Sequence, residues 1–220
     1  MQVSPFFFTF AKEKERSQMK LILMTKPTYF VEEDKILSSL FDEGLDYLHL
    51  YKPGQAPMYA ERLLTLLPED CYRRIFVHDH YYLKEEYGLG GIHLESAEAP
   101  LPIGYKGKFS RTCMDLELLK AAKKKAEYVF LKYIRHSQSE RDADATFTDA
   151  ELKEASRRGL IDRHVHALGG INLDNIREMK DLGFGGVVVC GDLWNRFDIH
   201  NEQDYKELIR HFEKLRKVAG

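Results

Sequence analysis

Residues 164–194 read HVHALGGINLDNIREMKDLGFGGVVVCGDLW, and this stretch carries the pattern that decides the fold. A short apolar run from His164 to Leu168 ends in Gly169-Gly170-Ile171-Asn172. An amphipathic helical pattern follows, then a glycine-rich turn, and then Val187-Val188-Val189 ending in Cys190-Gly191-Asp192. Two strands, each ending in glycine, therefore flank one helix that begins at the first glycine pair. Backbone N–H groups oriented at such a junction make a cup for phosphate. In a parallel (β/α)8 barrel, the loops after strands seven and eight are the usual place for that cup. The signal is one of binding, not of catalysis.

Working outward, the same alternation runs through the chain from Lys20. Strands are expected at 20–25, 46–52, 74–77, 91–93, 108–110, 128–131, 164–168 and 187–190. Between them lie helical patterns. One places Ile36, Leu37, Leu40 and Phe41 on a single face before Gly44, and another carries Leu63, Leu64, Leu66 and Leu67. A short helix over 81–87 stops at Gly88, and Asp115 is positioned to cap a helix through Leu116, Leu119 and Ala122. Thr148 and Glu151 have capping-box spacing, and Tyr205, Leu208, Ile209, Phe212 and Leu215 form the apolar stripe of a last helix. Short, nearly continuous apolar strands suit a parallel sheet buried on both faces. Alternating order and a count of eight predict an α/β fold closed as a (β/α)8 TIM barrel. The first strand is not followed by Gly-x-Gly-x-x-Gly, which argues against a dinucleotide-binding sheet.

A chain of 220 residues fits one such barrel, and 44% apolar with 31% charged residues suits a globular core. Residues 19–220 are expected to form the domain. Residues 1–18, apolar from Pro5 to Ala11, read as a disordered or surface-packed extension, with Met19 as an alternative start. That apolar run is too short to span a bilayer and lacks a signal-peptide pattern, so no membrane partner is expected. A net charge of −2 gives no footprint for nucleic acid. Cys71, Cys113 and Cys190 are odd in number and widely spaced, which suits a reducing cytoplasm and buried, small apolar roles. The composition leaves a homo-oligomer open.

Barrel chemistry sits at the C-terminal ends of strands. Those ends carry His49, Tyr51, Lys52 and Pro53 after strand two, His78, Asp79 and His80 after strand three, and His93 and Glu95 after strand four. Strand five ends in Ser110, Arg111, Thr112 and Cys113, and strand six in Lys132, Tyr133, Ile134, Arg135 and His136. Alternation puts His49, Tyr51 and Pro53 on one face. Asp79 with Glu95 or Glu98 could hold Mg²⁺ beside a diphosphate, since that cation takes oxygen ligands. Alternatively His78 and His80 share a zinc, or Asp79 merely caps the next helix and the histidines bond locally. His164 and His166, near the start of strand seven, read as structural.

The stretch ALGGINLDNIREMKDLGFGGVVVCGDLW resembles the Ala-Ile-Gly-Gly-Ile…Asn…Gly-Ala…Gly-Val-Ala-Val-Val-Ser pattern of thiamine phosphate synthases and their thiazole tautomerase relatives. HDHYYLKEEYGLGGIHLESAE is similar to that family's Asn-Asp…Gly-Val-His-Leu-Gly-Gln-x-Asp stretch. LHLYKP is similar to its Gln-Leu-Arg-x-Lys strand, and FSRTCMD to its Gly-x-Ser-x-His-Ser turn. The resemblance implies a (β/α)8 barrel that couples hydroxymethylpyrimidine diphosphate to thiazole phosphate with Mg²⁺, through a dissociative departure of the diphosphate. It implies Asp79 and Glu98 as metal ligands, and Gly169, Gly170, Cys190 and Gly191 as the phosphate cup, with Gly191 where the family has Ser. His49, Tyr51 and His78 become substrate-binding candidates.

Tyr51 and Pro53 stand at the positions of the diphosphate-binding Arg and Lys, and Met114 at that of a His. Tyr51 cannot supply a guanidinium fork. Lys132 occupies a Gly position and Tyr133 that of the tautomerase histidine. Lys132, Tyr133, Arg135 and His136 are accordingly the catalytic candidates, with Lys132, Arg135 or Arg111 restoring positive charge. Three readings follow: a synthase-like transferase, a tautomerase-like isomerase using Tyr133 or His136, and a barrel that binds thiamine or thiazole phosphate without turnover.

Overall fold

The computed structural model describes residues 18–136, 144–196 and 206–220. Apart from Gln18, the proposed N-terminal extension lies outside the described residues. Eight parallel strands close in sequence order: β1 (Lys20–Met24), β2 (Tyr47–Leu50), β3 (Ile75–Val77), β4 (Gly91–Leu94), β5 (Phe109–Cys113), β6 (Tyr128–Lys132), β7 (Val165–Leu168) and β8 (Gly186–Val189). Pairing of Ile22 with Val188 and of Leu168 with Val188 fixes the register on both sides of β8. The (β/α)8 barrel predicted from the alternation is thus the observed architecture, with strand ends shifted by up to three residues, the most at the end of β5.

The helices are α1 (Glu33–Asp42), α2 (Pro57–Leu66), α3 (Leu83–Glu86), α4 (Leu119–Ala122), α5 (Asp149–Arg157), α6 (Ile176–Asp181), α7 (Gly191–Trp194) and α8 (Lys206–Ala219). Local chemistry explains their ends. Gly44, at φ 88°, donates to Phe41 O while Leu45 donates to Leu40 O, the paired bonds that close a helix through a left-handed residue. The capping box at Thr148 is formed, with Glu151 N–H donating to Thr148 Oγ1 at 3.3 Å and Thr148 N–H to Glu151 Oε2 at 2.8 Å. Asp115 caps a turn instead of the expected helix: its Oδ1 accepts from Glu117 N–H at 2.8 Å, and α4 starts only at Leu119. Leu66 is exposed because it sits on the solvent side of α2, opposite Leu63 and Leu64.

The core has two layers. Leu21, Leu23, Leu48, Ile75, Ile92, Val129, Val165 and Val187 face the helices, whereas Ile22, Phe76, Tyr128, Phe130, Leu168 and Val188 fill the barrel itself. Strand alternation produces this division. Among the described residues no helix is long and apolar enough to cross a membrane. Gly186 is required inside the barrel: a Cβ there would lie 2.9 Å from Lys20 O and 3.0 Å from His166 Cγ.

Candidate active site

At the C-terminal mouth the inward-facing positions enclose a cavity of about 270 Å³. Thr25, Tyr51, His78, Glu95, Thr112, Lys132 and Tyr133 come from the ends of β1 to β6. Gly169, Gly170 and Ile171 follow β7, and Cys190, Gly191 and Asp192 follow β8. Met24, Leu168 and Val188 line it among the apolar residues. Size and lining suit one small ring bearing a phosphate.

The glycine cup is held from behind by the loop after β6. Ile134 N–H donates to Leu168 O at 3.2 Å and Arg135 N–H to Gly169 O at 3.1 Å, so that loop runs beside the Gly169-Gly170 turn. Gly169 has φ 104° and Gly170 φ 64°, and a Cβ on Gly170 would meet His136 O at 2.3 Å. Glycine is therefore dictated by both dihedral and space. Asn175 fixes the far side, donating from Nδ2 to Gly170 O at 2.9 Å. Across the opening, Cys190 leads into α7, whose first amides, from Gly191 on, have no intrahelical acceptor. Asp192 lines the same wall, and its charge is compensated by His211 Nε2 at 2.6 Å and Arg196 NH2 at 3.3 Å. Lys132 lines the cavity with its ammonium 4.6 Å from the Tyr133 ring centroid.

Beneath the cavity floor a chain of polar groups fills the barrel. His78 Nδ1 lies 2.5 Å from Glu95 Oε1, and its Nε2 lies 2.8 Å from His49 Nδ1. His49 Nε2 lies 2.8 Å from the Tyr128 hydroxyl. A second branch joins His93 Nδ1 to Ser110 Oγ at 2.8 Å and His93 Nε2 to Thr112 Oγ1 at 2.9 Å. Burial pushes the His49 and His93 imidazoles well below the usual range, so both are neutral at pH 7. Burial likewise holds the Tyr128 phenol protonated. One assignment of protons then satisfies the first branch: Tyr128 O–H donates to His49, His49 Nδ1–H to His78, and His78 Nδ1–H to an ionised Glu95. Burial alone would raise the Glu95 pKa, but the hydrogen bond from His78 and the nearby Lys132 ammonium outweigh it and bring it below the ordinary value.

His49, His78 and His93 approach one another closely enough to suggest a metal centre. Their ring geometry argues otherwise. His78 and His93 stack, with centroids 4.2 Å apart and planes 23° from parallel, so their lone pairs do not converge on one ion.

The structure separates the predicted residues into those at the cavity and those elsewhere. Tyr51, His78, Lys132, Tyr133, Gly169, Gly170, Cys190 and Gly191 line it. His49 does not: it is fully buried one layer below, and its expected substrate contact is corrected to a supporting role behind His78. Arg135 turns away to Glu178 at 2.6 Å and Asp149 at 2.9 Å, and exposed His136 pairs with Asp144 at 2.9 Å. Neither is placed as a catalytic group, because the β6 loop bends back along the glycine turn immediately after Tyr133. Arg111 faces outward on β5 and donates to Ala97 O. His80 bonds Gln55 O at 2.9 Å, away from His78, which removes the expected zinc pair.

Lys52 is enclosed with Glu33 at 2.6 Å and Thr28 O at 2.9 Å, its ammonium over the Tyr29 ring. Asp79 caps no helix and is half-buried, Glu98 is exposed, and neither borders the cavity. Cys71 and Cys113 are buried as expected, whereas Cys190 is only half-buried because it opens onto the cavity. From sequence, Thr112 stands only among the strand-five end residues without a role, and Tyr128 only as the start of strand six. Two-residue alternation from Ser110 and from Phe130 would have found both, since each faces inward with the histidines.

A closed (β/α)8 barrel with a glycine-lined cavity at the ends of β7 and β8 defines an α/β-barrel protein of the kind that places its site at the C-terminal mouth. Comparison narrows the class: the thiamine monophosphate synthase family pattern matches residues 58–193, and the chain belongs to that family. It is 30% identical over 127 residues to a thiamine-phosphate synthase of Serratia proteamaculans, covering 53% of this chain and 57% of that protein. A thiamine-phosphate synthase of Thermoplasma acidophilum is also 30% identical, over 130 residues, with 54% and 57% covered. The chain thus matches little more than half the length of these curated relatives. Its fold superposes with a TM-score of 0.82 on a thiamine phosphate pyrophosphorylase from Bacteroides thetaiotaomicron, at 52% identity, over 91% of this chain and 98% of that one. A Pyrococcus furiosus thiamine phosphate pyrophosphorylase shares the fold, with a TM-score of 0.70 at 20% identity and 93% and 97% covered.

Proposed function

We propose that the protein is a thiamine phosphate synthase-like transferase that seats a thiazole phosphate in the glycine cup and joins it to a hydroxymethylpyrimidine diphosphate. The single observation that carries this reading is the cup itself: Gly169-Gly170 and Cys190-Gly191 face one cavity that also holds the Lys132 side chain. Backbone amides bind phosphate oxygens there without reorganising, and Lys132 supplies positive charge. Thr25, Tyr51, Leu168 and Val188 enclose the ring and exclude water from the reacting nitrogen.

Asp79 and Glu98 follow adjacent strands, β3 and β4, on the mouth side. Neither carboxylate is spent on a hydrogen bond among the described residues, and oxygen donors of this kind fit Mg²⁺. When bound, that ion would neutralise charge on a departing diphosphate. The departures from the resembled pattern fall on the same side: Tyr51 presents no cation, and Lys52 is consumed by Glu33. Three free cysteines accord with a reducing, cytoplasmic setting.

The test is a coupling assay with both substrates and Mg²⁺. Formation of thiamine phosphate and pyrophosphate, lost in Asp79→Ala and Lys132→Met, is expected. Absence of product with the intact protein overturns the transferase reading.

A further inference from the structure

Glu95 is the feature that the transferase reading leaves unexplained. Its side chain is 58% exposed and lines the cavity, while the His78 side chain that holds it is 2% exposed. Only Oε1 is engaged, at 2.5 Å from His78; Oε2 takes no partner among the described residues. In the proton assignment that satisfies these groups, the hydrogen bonds behind it run in one direction, Tyr128 to His49 to His78 to Glu95, over 2.8, 2.8 and 2.5 Å. Each donor in such a series polarises the next, and the accumulated effect favours negative charge at the terminal carboxylate. Behind it His49 is buried and neutral, and both His78 nitrogens are engaged, Nδ1 with Glu95 and Nε2 with His49. Glu95 is thus a fixed anion, held in place by three buried groups and aimed at the ligand space.

The other charges in the cavity sort by position. Lys132 ends β6 and is near enough for its charge to help lower the Glu95 pKa, and Asp192 is already compensated by Arg196 and His211. A ligand that fills the cavity meets the glycine-turn amides after β7 and β8 and, across the barrel, the Glu95 carboxylate after β4. We propose that Glu95 makes this cavity selective for zwitterionic ligands, with a phosphate in the cup and a positively charged heteroaromatic ring against the carboxylate. The proposal rests on the cup reading above and deepens it: it names the charge state of the ring that the site prefers. A thiazole ring alkylated at nitrogen carries that charge, so the carboxylate stabilises the ring as its nitrogen becomes quaternary.

The test uses the whole protein at pH 7.5 and three probes measured by calorimetry: inorganic phosphate, thiazole phosphate, and the same thiazole phosphate methylated at the ring nitrogen. The two ring probes differ by one methyl group and one charge. The intact protein is expected to bind the methylated cation about tenfold or more tightly than the neutral ring, as a partly screened charge pair allows. In Glu95→Gln, which keeps the shape and can still meet His78, that preference is expected to fall to about twofold, with inorganic phosphate affinity unchanged or slightly improved. Glu95→Ala is expected to lose the preference as well, and a thermal melt of each variant confirms that it is folded. Equal affinities for the two rings in the intact protein, or a preference that survives in both variants, overturns the role of Glu95 while leaving the cup reading intact. Failure of inorganic phosphate to compete with either ring overturns the cup reading, and this proposal with it.

Discussion

Replacing Gly170 with alanine tests the cup where the structure makes it tightest. Gly170 adopts φ 64°, and a Cβ placed on it would lie 2.3 Å from His136 O, 2.6 Å from Arg135 Cβ and 2.9 Å from Arg135 C. Two of these atoms are backbone, so relief requires moving the β6 loop that also carries Lys132 and Tyr133 toward the cavity. Gly54 is a matched control: its φ is 70°, and nothing lies within 4 Å of its added Cβ. Gly54→Ala should cost only the left-handed backbone penalty, about 1 kcal/mol. Gly170→Ala adds overpacking of about 2 kcal/mol to that penalty, for a total of about 3 kcal/mol. For a domain of this size the two variants should melt about 2–4 °C and about 6–12 °C below the parent. Phosphate affinity provides the second readout: it should fall about tenfold or more in Gly170→Ala and stay level in Gly54→Ala. Equal melting shifts and equal phosphate affinities in the two variants would refute the assignment of Gly170 to a sterically closed cup.

Three further outcomes follow from the same geometry. Lys52→Met strands the buried Glu33 carboxylate and should cost about 3–5 kcal/mol in denaturant unfolding, while thiazole phosphate still binds. Loss of binding without loss of stability would return Lys52 to the substrate site. Lys132→Met should weaken phosphate binding about tenfold, whereas Arg135→Met, whose guanidinium is paired with Glu178 and Asp149, should leave it unchanged; calorimetry with inorganic phosphate reads both. Stability should also fall on acidification. The His166 imidazole is pushed down to about 3 by burial, below its unfolded value of about 6.5, so its contribution is complete above pH 6.5 and is lost as pH falls toward 3. Melting temperatures between pH 7 and 4 should decline less steeply in His166→Leu than in the parent; an identical slope would remove His166 as a cause.

Most of the fold was legible because its determinants are local or periodic. Apolar runs such as Tyr128–Leu131 and Val187–Val189 fix strands, Thr148 and Gly44 fix helix ends, and alternation places His49 and Tyr51 on one face. The cup was legible for the same reason, since Gly169-Gly170 is a local signal. The rest of the site was not, because it depends on which strand ends meet across the barrel. Nothing in the sequence next to Lys52 announces Glu33, whose ion pair withdraws that lysine from the mouth. Nothing next to Arg135 announces Glu178, 43 residues away. His49 was read one layer too high because alternation gives the face of a residue but not its depth along the axis. The Tyr128–His49–His78–Glu95 series joins four strands, and only closure of the barrel brings its members within hydrogen-bonding distance.

The central claim is that the turn after β7 and the start of α7 together hold a phosphate. A crystal structure of the protein with thiazole phosphate tests it directly. The phosphorus is expected between Gly170 and Gly191, contacted by their amides and by Lys132, with the ring directed toward His78 and Glu95. A phosphate bound elsewhere, with the Gly169-Gly170 turn facing only solvent, would contradict it.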